Sequence, residues 1–137
     1  MGAALDLVRQ FFEAFGEGDL QKADDVFADD CTFILPVGTM SKSEHRMMGE
    51  GFKSAMPYAT IEIDHAIDNG DEVFVEGHFH GTHTGDLVSP QGTLPPTGNK
   101  IELRYGEYFR SSGGRIVEHR SYWDQVDFMT QLTGGHS

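Results

Sequence analysis

The spacing of apolar residues changes once along this chain, near Thr60, and that change constrains the fold more than any other feature. Before it, apolar residues recur at steps of three and four; after it, at steps of two. Leu5, Val8, Phe12 and Phe15 form the first series, with Phe11 beside them, and Gly16 and Gly18 end it. Asp19 is a good N-cap for a second, short helix carrying Leu20, Ala23 and Phe27, with Asp24 and Asp25 toward water. Thr32 to Leu35 reads as a short strand stopped by Pro36. Ser41 and Glu44 form a capping box, and Met48, Phe52 and Ala55 continue one helical face as far as Pro57.

Beyond Thr60 the alternation predicts four strands. Ile61, Ile63, His65 and Ile67 share one face of the first, with His65 a packed structural residue, and Asn69-Gly70 supplies the hairpin turn. The second, Glu72 to Thr84, sets Val73, Val75, Gly77, Phe79, Gly81 and His83 against Glu72, Phe74, Glu76, His78, His80 and Thr82. Gly85 to Gly98, with three prolines, reads as a loop. Lys100 to Arg110 aligns Ile101, Leu103, Tyr105, Glu107 and Phe109, and Arg115 to Asp124 aligns Ile116, Glu118, Arg120, Tyr122 and Asp124. A brief helix from about Val126 to Leu132 closes the pattern. Helices first and antiparallel strands afterwards define an α+β order, with the helices on one face of a curved sheet.

Length and charge narrow the function classes. A chain of 137 residues suits one domain, 1–137, with a core of its own. Its 22 acidic against 10 basic residues repel nucleic-acid backbones and anionic membrane surfaces, so neither is an expected partner. One cysteine, Cys31, excludes an internal disulfide and a multi-cysteine zinc site. No apolar run approaches the ~18 residues of a membrane span, and the opening MGAALDLVRQ lacks a basic n-region, so the expected location is cytoplasmic.

Several side chains are candidates for chemistry. Asp124 ends the last strand after Tyr122 and Trp123; in an apolar mouth its pKa would rise toward values useful in acid–base catalysis, while the bland alternative is an N-cap for the helix at Gln125. His83 either polarises a carbonyl or is a buried histidine satisfied by a neighbour. Glu107 interrupts an apolar series, so it meets a partner such as Arg104 or Arg120, or lines a wet cavity. Glu118, Arg120 and Tyr122 share the phase of Asp124 and either line the same cavity or stay solvated. Glu76, His78 and His80 alternate on one strand face, a weak metal-ligand spacing out of phase with the apolar series, so no native metal is expected there. Motifs for a nucleophilic serine, a dinucleotide or a phosphate loop are absent, which gives no support to covalent catalysis or a cofactor.

The segments LVRQFFEAFGEGDLQKADDVFADDCTFILP, HGTHTGDL, PPTG, YGEYFR and GGRIVEHRSYWDQVDF, in that order, resemble the SnoaL-like polyketide cyclases of the NTF2-like superfamily. The resemblance covers nearly the whole chain. It implies a cone-shaped α+β barrel with a curved mixed or antiparallel sheet, N-terminal helices on its concave face, and a deep pocket. It also implies a homodimer through the outer sheet face, where Phe74 breaks a polar series, and chemistry that needs no cofactor. The activity implied is an intramolecular aldol ring closure of a hydrophobic, aromatic small molecule, with Asp124 as acid and base and His83 beside it. Tyr122, Arg120 and Glu107 would then face the substrate, and Phe12, Phe15, Phe33, Met48, Phe52, Tyr105 and Phe109 would line the pocket. The loop Asp86 to Asn99 is longer than is usual for the family, and is expected to frame the pocket mouth. The alternatives are a non-catalytic small-molecule binding protein, a ketosteroid-isomerase or epoxide-hydrolase relative, and a dimeric interaction module with a filled cone. An isomerase would want a basic carboxylate near Thr32 to Leu35, which has none.

Overall fold

A computed structural model describes residues 2–89 and 92–134. Helices α1 (Ala3–Glu17) and α2 (Leu20–Asp24) lead into strands β1 (Phe27–Leu35) and β2 (Gly38–Met40) and helix α3 (Lys42–Ala55). Strands β3 (Thr60–Asp68), β4 (Glu72–Thr82), β5 (Leu87–Ser89), β6 (Gly92–Leu94), β7 (Lys100–Ser112) and β8 (Arg115–Tyr122) follow, and α4 (Gln125–Thr133) comes last. The main sheet has the order β2-β1-β8-β7-β4-β3, antiparallel throughout except for the parallel β1–β8 pair. Against its inner face lie α1, which contacts β3, β4, β7 and β8, and α3, which contacts β1. The α+β order is the one the changing period implies, and the curved mixed sheet is the one the family resemblance implies. None of the described helices is long and apolar enough to cross a membrane.

The local signals account for the element ends. Asp19 accepts from the Lys22 amide at 3.1 Å, and the Ser41–Glu44 capping box is complete in both directions. Gly18 closes α1 in the left-handed region at φ +79°, and Gly70 turns the β3–β4 hairpin with the same φ. Two features exceed the sequence signals. β1 starts at Phe27, five residues before Thr32, and β5 and β6 form a small separate hairpin inside the stretch read as a loop.

Two β-bulges decide which side chains face inward. In β8, Arg110 of β7 pairs with Glu118 and Ser111 with Ile116, which leaves Val117 as an extra residue. In β3, Ile63 pairs with Gly77 and His65 with Glu76, which leaves Asp64 over. An inserted residue reverses the inward and outward phase of everything beyond it. Consequently Ile116 is buried, and His119 and Ser121 are buried after it, while Arg120 and Tyr122 turn to solvent. The expected shared face of Ile116, Glu118, Arg120, Tyr122 and Asp124 is corrected by this bulge. In β3, Ile61 and Ile63 pack on the core, but Ile67 is 71% exposed and His65 is exposed rather than packed. At the β3 bulge a Cβ on Gly77 would stand 1.8 Å from the Glu62 carbonyl oxygen, so only glycine permits this approach.

The unbulged β7 keeps the expected alternation, with Ile101, Leu103, Tyr105, Phe109 and Ser111 buried. Two apolar clusters result. The larger joins α1, β1, β4 and β7 through Phe12, Phe27, Phe33, Val75 and Phe109. The smaller gathers Met56, Ile101, Leu103, Phe128 and Leu132, and Trp123 packs against both.

Candidate functional site

Between the helices and the sheet lies a cavity of about 150 Å³. Its wall is largely aromatic and aliphatic: Phe11, Phe12 and Phe15 from α1, Met48 and Phe52 from α3, and Tyr105 and Trp123 from the sheet side. The polar side chains in this wall are few, and Glu107, His119, Ser121 and His45 converge within it.

Each is placed by its element. Glu107 projects from β7 in phase with Tyr105 and Phe109, and cross-strand pairing sets it opposite Ser121, whose hydroxyl donates to Oε2 at 2.5 Å. His119 is the cross-strand partner of Phe109 and stacks on its ring at 4.2 Å, with Nε2 3.6 Å from the same carboxylate oxygen. His45 precedes Met48 and Phe52 by three and seven residues, on the same face of α3. Its ring stacks on Phe33 at 4.1 Å and meets the ring of His119 edge-on at 5.6 Å.

Burial sets the protonation of this group. Desolvation pushes the Glu107 carboxyl up to about 7, and the Ser121 hydrogen bond only partly opposes it. His45 is pushed down to about 4 by burial, and burial holds His119 well below the usual histidine range, with His45 adding to the effect. The Nδ1 of His119 lies 3.4 Å from the Tyr108 carbonyl oxygen, which can only accept, so Nδ1 carries the proton. The bare Nε2 therefore faces Glu107. At 3.6 Å the two do not share a hydrogen bond, and in a site that penalises charge the imidazole stays neutral and the proton belongs on the carboxyl. The result is a carboxylic acid poised to ionise near neutral pH in an apolar chamber.

The expected site residues divide into three groups. Glu107, Phe12, Phe15, Met48, Phe52 and Tyr105 line the cavity. Phe33 and Phe109 are fully buried and back the rings of His45 and His119 instead. The remaining four are not brought to it. Asp124 is exposed, and its Oδ1 accepts from the Asp127 amide at 2.9 Å as the N-cap of α4, so its expected place in the pocket mouth is corrected. Arg120 donates to Glu118 at 2.7 Å on the outer face, and Tyr122 is 53% exposed. The β8 bulge moves Arg120 and Tyr122 outward, and the start of α4 holds Asp124 as its cap. His83 is buried elsewhere: its Nδ1 accepts from the Thr97 amide at 3.3 Å and lies 3.0 Å from the Thr97 hydroxyl, which fastens the Pro95–Asn99 turn. Nor does the described part of the Asp86–Asn99 loop line the cavity; Leu87 and Leu94 pack on the smaller cluster.

His119, Ser121, His45 and Trp123 were not singled out by sequence. His45 could have been, since its spacing to Met48 and Phe52 is helical. Alternation hides the other three, because it knows nothing of an inserted residue.

A family model described as SnoaL-like polyketide cyclase matches residues 6–132. The chain belongs to that family. Among solved structures, AclR of Streptomyces galilaeus, for which a hydroxylase role has been suggested, superposes with a TM-score of 0.81 at 20% identity, covering 94% of this chain and 80% of that one. IdmH of Streptomyces antibioticus, for which a polyketide-cyclase role has been suggested, gives 0.76 at 26% identity over 93% and 96% of the two chains. An NTF2-like protein of unknown function from Burkholderia pseudomallei K96243 gives 0.78 at 20% identity over 97% and 99%. No curated protein sequence matches. The NTF2-like fold of this family member follows from these likenesses.

Proposed function

We propose that this SnoaL-like chain is an acid–base enzyme that moves a proton next to a carbonyl in a hydrophobic, aromatic small molecule. In its fullest form the reaction is an intramolecular aldol ring closure. Glu107 takes the acid–base role assigned by resemblance to Asp124, and His119 holds the place assigned to His83. The observation that carries the reading is a buried carboxyl raised to about 7, hydrogen-bonded by Ser121 in an apolar cavity.

The chemistry balances with these groups alone. Glu107 as carboxylate removes the proton from the carbon beside the carbonyl, and the electron pair of that C–H bond becomes an enolate. The Ser121 hydroxyl, released from a charged acceptor once Glu107 is protonated, is a donor for the enolate oxygen. The enolate carbon then bonds to a second carbonyl carbon of the same molecule, and the new alkoxide takes its proton from Glu107. His119, fixed by Tyr108 and Phe109, orients the carboxyl. No cofactor is required for these steps. The unit of assembly in this reading is a homodimer through the outer sheet face, where Phe74 lies over Gly106 and remains 37% exposed.

The test is Glu107→Gln, which keeps shape and loses the titratable group. Deuterium exchange next to the carbonyl of flat aromatic ketones and β-keto esters should fall by ~10²- to 10⁴-fold. Full exchange in the variant would remove Glu107 from the chemistry. If wild type shows no exchange on any of these compounds, the cavity is a binding site without catalysis.

A further inference from the structure

The proton transfer leaves one cavity-facing imidazole unused. His45, in the first turn of α3, is 8% exposed and lines the cavity. Phe33 stacks on its ring at 4.1 Å, and Phe27 and Phe11 close around it at 5.4 and 6.1 Å, rings that carry no polar atom. His119 meets it at 5.6 Å without a hydrogen bond. Neither ring nitrogen of His45 has a hydrogen-bond partner among the described residues, and neither is among the polar atoms sealed from access, so both stay open to the cavity. The other charged groups of the helix wall, Asp24 and Arg46, answer each other at 3.7 Å.

A buried polar group without a partner is costly, so an open imidazole in an aromatic wall is a place for a ligand's polar atom. Burial keeps the ring neutral, with one N–H and one bare nitrogen. What the chamber lacks decides which of them is used. Its other donors are committed: the Ser121 hydroxyl to Glu107, the Tyr105 hydroxyl to the Glu62 carbonyl at 2.7 Å, and the Trp123 indole to Gln125 at 2.8 Å. Glu107 as carboxylate and the bare Nε2 of His119 only accept. A carbonyl oxygen that gains negative charge needs donors, and His45 holds the free one. The placement agrees, since Glu107 and His45 stand on either side of the His119 ring, a span that a carbonyl group and its neighbouring carbon can bridge.

We propose that His45 is the carbonyl-binding residue of the cavity, its free ring N–H donating to the oxygen of a ketone or ester carbonyl whose neighbouring C–H bond faces Glu107. The proposal rests on the proton-transfer reading of the same cavity. As Glu107 takes the proton, the C–H electron pair moves into the carbonyl, charge grows on the oxygen, and the hydrogen bond from His45 strengthens while the imidazole keeps its own proton. A neutral imidazole suits this task, because a dry chamber penalises the charged form. The helix wall thus binds the oxygen and the sheet wall moves the proton.

The experiment compares two bicyclic probes of one shape, 2-acetylnaphthalene with an isotope-labelled carbonyl and 2-isopropenylnaphthalene, in which a methylene replaces the oxygen. In calorimetric titration wild type should bind the ketone roughly three- to tenfold more tightly than the alkene, the range a single hydrogen bond spans. Infrared spectra should place the carbonyl stretch of the bound ketone lower in wild type than in His45→Phe, which keeps the aromatic packing and removes the donor. The same variant should lose the ketone preference and still bind the alkene, which also reports that it is folded. Should His45→Phe fail to fold, His45→Leu is read in the same way. An equal carbonyl frequency in wild type and folded variant, a ketone preference that survives the substitution, or no binding of the ketone would each overturn the proposal. Neither readout needs turnover, so full exchange in Glu107→Gln would remove the acid–base assignment and leave the His45 result to stand or fall by itself.

Discussion

The same sheet carries histidines beside carboxylates on both of its faces, and the two groups behave as different chemistry. Inside, Glu107 and His119 share a cavity wall, and burial drives their proton affinities in opposite directions. Outside, His78 pairs with Asp64, and His80 stands between Glu62 at 3.8 Å and Glu102 at 3.7 Å. Water reaches all of the outer residues, so their attractions are screened and worth little. A residue type does not make a site; removal from water does, because burial disfavours the charged forms of a carboxyl and an imidazole alike.

The largest effect expected from this contrast is a pH dependence of stability centred on Glu107. Its pKa rises from an ordinary 4.5 to about 7 on folding, so the folded chain favours the protonated form. Stability from this group is full below about 4.5 and is lost as pH rises through about 7, by about 3 kcal/mol at ~1.4 kcal/mol per pH unit. His45 has the opposite sign: lowered from 6.5 to about 4, it holds its contribution above 6.5 and loses it as pH falls through 4. Urea unfolding of wild type and Glu107→Gln between pH 5 and 8 should show the alkaline loss in wild type only, with the acid limb common to both. An identical alkaline loss in Glu107→Gln would break the contrast.

A smaller effect is expected at Asp124. As an N-cap it should cost about 1 kcal/mol when changed to alanine, and Asp124→Ala should leave carbonyl-adjacent exchange unaltered. If exchange falls with Asp124→Ala by as much as with Glu107→Gln, the acid–base role returns to Asp124.

The smallest effect on the folded chain is expected from the exposed edge of Phe74. Light scattering should give twice the 15.2 kDa of one chain, and Phe74→Ser should shift the mass toward one chain with little change in unfolding. A wild-type mass of one chain would remove the outer face as an interface.

Much of the architecture was legible from spacing. The helical series Leu5, Val8, Phe12 and Phe15, the Ser41–Glu44 box and the Asn69-Gly70 turn are local devices whose partners lie within a few residues, so a sequence displays them. The unbroken alternation of β7 likewise gave Tyr105, Glu107 and Phe109 their common face. Glu107 was visible as an oddity in an apolar series, although its hydrogen bond from Ser121 and its place beside His119 were not.

What alternation could not carry was the phase of β8. One extra residue, Val117, turns His119 and Ser121 inward and Arg120 and Tyr122 outward, and no local pattern marks it. A bulge is set by how two strands match each other across the sheet, which is a tertiary matter. The meeting of Glu107 with Ser121, or of Asp24 with Arg46, joins residues whose separation in sequence says nothing of their contact. The sequence by itself determined the helices, the order of the main strands and the apolar faces of α1 and β7, since those follow from period and capping within a few residues. The tertiary structure alone decided which carboxyl loses its water, and with it which residue can move a proton, because desolvation depends on everything packed around a group.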